Sequence, residues 1–125
     1  MTASLQGARI LVVEDEYLVA SLIEDMLQTA GCSVAGPIPR LAPALEAAES
    51  EACDAAVLDV NLAGERAFPV ADILTRRNVP FVLVTGYSGN SLPPEYAACP
   101  RLHKPFRLAE LLAVLSGMLQ GRRES

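Results

Sequence analysis

Short apolar runs alternate with stretches of helical period from one end of the chain to the other, and this alternation restricts the fold more than any single motif. Arg9–Val13 (RILVV), Ala55–Asp59 (AAVLD) and Phe81–Thr85 (FVLVT) are continuous apolar runs, as expected of strands covered on both faces. Tyr17–Ala30 carries Leu18, Leu22, Ile23, Met26, Leu27 and Ala30 at helical spacing, and Gly31 supplies its stop. Ser33–Ala35 reads as a short strand ended by Gly36-Pro37. Leu41–Ser50 and Phe68–Arg77 read as the second and third helices. Residues 86–100 are rich in Gly, Pro, Ser and Asn, so a helix there must be short, around Pro94–Ala98. Arg101–His103 is a brief last strand, and Leu108–Leu119 an amphipathic last helix.

Five strands alternating with helices imply a doubly wound α/β fold with a parallel sheet and crossover helices. At 125 residues the flavodoxin-like strand order 2-1-3-4-5 is the natural choice. One domain is expected over residues 9–120, with tails at 1–8 and 121–125. No run approaches the roughly 18 apolar residues needed to span a bilayer, and no basic segment precedes a long apolar one. A cytoplasmic protein without a membrane partner is therefore expected.

The net charge of −5 repels nucleic acid phosphates, and no basic stripe offsets it, so nucleic acid is not an expected partner. Cys32, Cys53 and Cys99 are odd in number and widely spaced, and the single histidine, His103, has no ligand partner at useful spacing. That argues against a disulfide framework or a zinc site and for small buried thiols in a reducing compartment. Nine of the ten cations are arginine, which leaves Lys104 as the only lysine.

In an open α/β sheet, functional groups gather beyond the carboxyl ends of the strands. The first strand ends in Glu14-Asp15-Glu16, the third in Asp59 followed by Val60 and Asn61, the fourth in Thr85-Gly86, and the fifth in Lys104-Pro105. Taken singly each has a plain reading. Asp15 or Glu16 suits a helix N-cap, Thr85-Gly86 a turn, and Lys104 a solvated strand end. Together they bring acids, a hydroxyl and an ammonium to one rim. Clustered carboxylates need a cation, and Mg²⁺ (or Mn²⁺) favours such oxygen donors. A carboxylate can also act as a nucleophile toward phosphorus, a transfer that depends on positioning and charge neutralisation.

The segments ILVVEDE at 10–16, AVLDVNL at 56–62, VLVTG at 82–86 and HKPF at 103–106 resemble the receiver domains of bacterial two-component response regulators (CheY-like), over nearly the whole chain. The resemblance implies Asp59 as phosphoacceptor, Asp15 as a direct metal ligand, Glu14 as one acting through water, and the Asn61 backbone carbonyl as completing the set. It further implies Thr85 as the switch hydroxyl, Lys104 as the phosphate-binding cation, and a cis bond before Pro105. The expected donor is a sensor histidine kinase or histidine phosphotransfer protein, docking near Tyr17 and Leu18. The output would pass through another protein, and the domain would be a monomer or weak homodimer rather than an enzyme.

Two departures stand out. Arg101 occupies the place of the aromatic switch residue three positions before the lysine, which leaves Tyr87 as the nearest replacement ring. The segment Phe81…Thr85-Gly86-Tyr87 resembles a subgroup, many of them stand-alone, with a Phe-Ala-Thr-Gly-x-Tyr-like motif, although Val84 stands where alanine would be. Three competing readings have specific features against or for them. An aspartyl-nucleophile Mg²⁺-dependent phosphatase would want a second Asp where Asn61 stands. A flavin carrier would not tolerate Glu14-Asp15-Glu16 at its phosphate loop. A degenerate receiver acting only as an interaction module is disfavoured by a complete set of site residues.

Overall fold

A computed structural model describes residues 5–86 and 92–124. The main elements are β1 (Arg9–Val13), α1 (Tyr17–Thr29), β2 (Ser33–Ile38), α2 (Leu41–Ser50) and β3 (Ala55–Asp59). They are followed by the two-residue strands β4 (Asn61–Leu62) and β5 (Glu65–Arg66), then α3 (Phe68–Arg76), β6 (Phe81–Thr85), β7 (Arg101–His103) and α4 (Leu108–Glu124). The large sheet is parallel with order β2-β1-β3-β6-β7, which is the expected 2-1-3-4-5 order once the small β4–β5 hairpin is set aside.

Side chains alternate across each strand, so the sheet separates two apolar layers. Leu11, Val13, Leu58 and Leu83 face α2 and α3, where they pack with Ala44, Ala48, Val70 and Leu74. Ile10, Val12, Val57, Val82 and Val84 face the other way, against Ile23 and Leu27 of α1 and Leu111, Leu115 and Leu119 of α4. With apolar partners on both sides, β3 and β6 are buried at every position, which explains why they read as unbroken apolar runs.

Four details differ from expectation. Leu18 and Leu22 point outward, 74% and 54% exposed, because Ala20, Ile23 and Leu27 supply the core-facing stripe of α1. Both stripes are apolar, so periodicity alone does not choose between them. The second strand does not stop at Ala35 but continues to Ile38 through Gly36 (φ +102°), with a shift in its register against β1. A Cβ at Gly36 would lie 2.6 Å from the Val12 carbonyl oxygen, so the shift requires glycine on steric grounds as well as on φ. The last helix runs on through Glu124, past the expected end at Leu119. Leu5 is fully buried in the α1/α4 layer, so the described part of the leading segment is packed rather than free.

Pro94–Tyr96 forms a single 3₁₀ turn where a short helix was expected. Tyr96 is buried. Its ring stacks on Phe68 with centroids 5.0 Å apart, and its hydroxyl donates to the Asp72 carboxylate. This pins the segment before β7 to α3. None of the three cysteines is in a disulfide; Cys32 is buried and hydrogen-bonded to the Leu5 carbonyl, while Cys53 and Cys99 are half-buried. Among the described residues, no helix is long and apolar enough to cross a membrane.

Candidate functional site

The carboxyl ends of β1, β3, β6 and β7 bring the expected side chains to one rim. Glu14 (2% exposed), Asp59 (4%) and Thr85 (1%) are the buried polar or charged side chains among the described residues. Burying charge is costly unless it is paired, so such a cluster marks a built site.

Each acid is held by its own local device. Glu14 follows β1, and its amide donates to the Ile38 carbonyl (3.0 Å), a bond that exists because β2 continues past Gly36. Its Oε2 accepts from the Glu16 amide (3.0 Å). Asp59 ends β3, and its Oδ1 accepts from the Asn61 amide (3.0 Å). Asp15 Oδ2 accepts from the Ala63 amide (2.9 Å) in the turn between β4 and β5. That turn has positive φ at both central residues, Ala63 (52°) and Gly64 (90°), as a two-residue hairpin loop of type I′ requires. Glu16 stands at the N-cap position of α1 without a side-chain capping bond, so it does not serve as a cap.

Lys104 Nζ sits among the acids, 3.0 Å from Glu14 Oε2 and 3.1 Å from Asp59 Oδ2, and it also pairs with Glu16. A solvated strand end is therefore the wrong description of this lysine. Burial works against its charge, but the carboxylates of Glu16, Asp59 and Glu14 outweigh that, and the ammonium is held above its ordinary range. The Lys104–Pro105 peptide bond is cis. Thr85 places its hydroxyl 2.7 Å from His103 Nδ1, and its carbonyl accepts from the Lys104 amide (2.8 Å).

Two of the acids, Glu14 and Asp59, titrate above the ordinary carboxylate range. Burial first, and then the neighbouring Asp59 carboxylate, raise Glu14 from its ordinary 4.5 to about 8. Burial also raises Asp59, although Glu14, the Asn61 amide and Lys104 partly offset it. Glu14, Asp15 and Asp59 each offer an oxygen within 4.8 Å of the others. Glu14 Oε1 is buried without any hydrogen-bond partner. A buried carboxyl oxygen without a partner, among other carboxyl oxygens, suits a hard divalent cation such as Mg²⁺, which takes the place of the proton there.

The structure thus gathers Glu14, Asp15, Asp59, Asn61, Thr85 and Lys104. Tyr87 lies outside the described residues. Arg101 is exposed, and its guanidinium donates to the Ala97 carbonyl (2.9 Å). Two contributors went unrecognised in the sequence. One is the β4–β5 hairpin, whose only signal is a Gly64 turn between short segments. The other is His103, whose closeness to Thr85 depends on sheet register.

The family model of the response regulator receiver domain matches residues 10–116. No curated protein sequence matches the chain. Among solved structures, SdrG from Sphingomonas melonis Fr1 is 39% identical, with a TM-score of 0.80, over 90% of this chain and 97% of that one. A response regulator receiver protein from Sinorhizobium medicae WSM419 is 28% identical, with a TM-score of 0.78, over 94% and 98% of the two chains. The receiver domain of sensor histidine kinase PA1611 from Pseudomonas aeruginosa PAO1, described with a magnesium ion in its active-site cleft, is 27% identical, with a TM-score of 0.74, over 91% and 98%. The family match takes in strands from every part of the sheet, and the chain belongs to the response regulator receiver domain family, the signalling domains of two-component systems.

Proposed function

We propose that this chain accepts a phosphoryl group on Asp59 from a histidine kinase or histidine phosphotransfer protein and signals through protein–protein contact in the cytoplasm. The observation that carries this reading is the pairing of a buried Asp59 carboxylate with Lys104 Nζ at 3.1 Å, beside the unpartnered Glu14 oxygen. In the transfer, an Asp59 carboxylate oxygen forms the new O–P bond while the P–N bond to the donor imidazole breaks. The electron pair of that bond stays on the imidazole nitrogen, which takes its proton from solvent.

Glu14, Asp15, Asp59 and the Asn61 carbonyl would hold the divalent ion, which supplies positive charge against the phosphoryl oxygens when bound. Lys104 is already close enough to Asp59 to neutralise the same oxygens from another side. The Asn61 amide fixes the orientation of the nucleophilic carboxylate by holding Oδ1. Thr85 contributes a hydroxyl donor for the attached group.

The donor's docking surface is read at the start of α1. Tyr17 (81% exposed), Leu18 and Leu22 offer apolar area there, beside a groove of about 580 Å³ lined by Val19, Leu22, Lys104, Pro105, Phe106 and Leu108. Incubation with acetyl phosphate and Mg²⁺ tests the acceptor. The parent protein should gain the mass of one phosphoryl group, and Asp59→Asn should not. Equal labelling of the variant would overturn the assignment.

A further inference from the structure

Thr85 is paired in parallel register with His103, so their contact is set by the β6–β7 ladder. The hydroxyl lies 2.7 Å from His103 Nδ1, whereas its other contact, to the Leu102 carbonyl, is 3.5 Å, at the limit of a useful hydrogen bond. A hydroxyl carries a single hydrogen. With that hydrogen on the shorter contact, Thr85 donates to Nδ1 and the imidazole's own proton is on Nε2.

We propose that His103 is the positioning residue of Thr85: it holds the hydroxyl while Asp59 is unmodified and gives it up when an anion arrives there. The inference rests on the reading of Asp59 as phosphoacceptor. One hydrogen cannot serve two acceptors, so the His103 bond and a bond from Thr85 to a phosphoryl oxygen exclude each other. The phosphoryl oxygen is the stronger acceptor, because bonds to ionised groups are roughly twice as strong as neutral ones. Arrival of the group therefore draws the hydroxyl away and leaves the imidazole without its partner. His103 is exposed on β7, the edge strand of the sheet, so the change occurs where another protein can meet it. Arg101, two residues earlier, is engaged with the Ala97 carbonyl, which leaves His103 as the β7 side chain bonded to Thr85.

The chain has one histidine, so its imidazole is an unambiguous spectroscopic probe. Long-range proton–nitrogen NMR at pH 8 with Mg²⁺ reads the tautomer directly, and beryllium fluoride stands in for the phosphoryl group. The expected resting state is the Nε2–H tautomer with an Nδ1 resonance that moves on adding beryllium fluoride. Thr85→Ala should show the released Nδ1 position from the outset and no response, while Thr85→Ser should behave as the parent. His103→Ala should bind beryllium fluoride about two- to tenfold more tightly, the net worth of one hydrogen bond. His103→Asn, whose amide oxygen can accept, should return toward the parent.

If the Val60 and Asn61 amides report saturation while the imidazole of the parent stays still, the inference is overturned and the phosphoacceptor reading survives. An unchanged affinity in His103→Ala counts against it in the same way. If those amides do not respond either, the phosphoacceptor reading falls and takes the inference with it. The experiment on the parent alone decides the matter should Thr85→Ala fail to fold.

Discussion

Replacing Glu14 by Gln should make the metal-free protein more stable, and by an amount that grows with pH. Glu14 is buried beside Asp59, and its pKa is raised from 4.5 to about 8. A group whose folded pKa lies above its unfolded value lends stability that is complete below the unfolded pKa and is lost as pH climbs through the folded one. Each pH unit in that window is worth about 1.4 kcal/mol, so the whole interval from 4.5 to about 8 is worth at most about 5 kcal/mol. Glutamine has no proton to lose and escapes this penalty. Between pH 5.5 and pH 8.5 the parent should therefore lose about 3 kcal/mol relative to Glu14→Gln. Urea unfolding in EDTA at both pH values measures the difference. Adding Mg²⁺ at pH 8.5 should restore much of the parent's deficit and stabilise the variant less, because the cation then neutralises what the proton did. A gap between the two proteins that is the same at both pH values, or a variant that is the less stable at pH 8.5, would refute the reasoning.

Two further substitutions probe the frame around the site. Gly36→Ala forces a Cβ to within 2.6 Å of the Val12 carbonyl at a φ of +102° and should cost about 2–4 kcal/mol in urea unfolding. Mg²⁺ affinity should fall with it, since the displaced strand carries the Ile38 carbonyl that holds the Glu14 amide. Tyr96→Phe keeps the stacking on Phe68 but removes the hydroxyl bonded to Asp72, and thermal unfolding should show a loss of about 1.5 kcal/mol, the lower end for a bond to a charged group, because Asp72 is exposed. Tyr96→Ala should lose about 3 kcal/mol or more, because the ring goes too.

Much of the fold can be read from the residues because the sheet is covered on both faces. Burial of every position in β3 and β6 demands unbroken apolar runs, and their bounds at Ala55–Asp59 and Phe81–Thr85 follow directly. The bounds of α1 also followed to within a residue, but its inward face did not, since Leu18 and Leu22 form an apolar stripe that competes with the core-facing one. Gly36-Pro37 looks like a strand end, because local turn chemistry carries no information about a neighbouring strand that tolerates a bulge. The acids, Thr85 and Lys104 were legible as a rim because topology alone brings strand ends together. His103 was not. Its bond to Thr85 appears only once β7 is set against β6 in register. The hairpin that steadies Asp15 is built from two-residue strands, too short to leave a period.

The isolation of Lys104 has a practical consequence. It is the only lysine side chain in the molecule, and it is enclosed by the carboxylates of Glu14, Glu16 and Asp59. An amine-acylating reagent therefore has, apart from the chain's leading amino group, a single address, which lies in the pocket itself and which the surrounding carboxylates hold in its unreactive ammonium form. Whatever rearranges those carboxylates alters how readily the address is reached, so ordinary protein-labelling chemistry becomes a built-in gauge of pocket occupancy without any engineered tag.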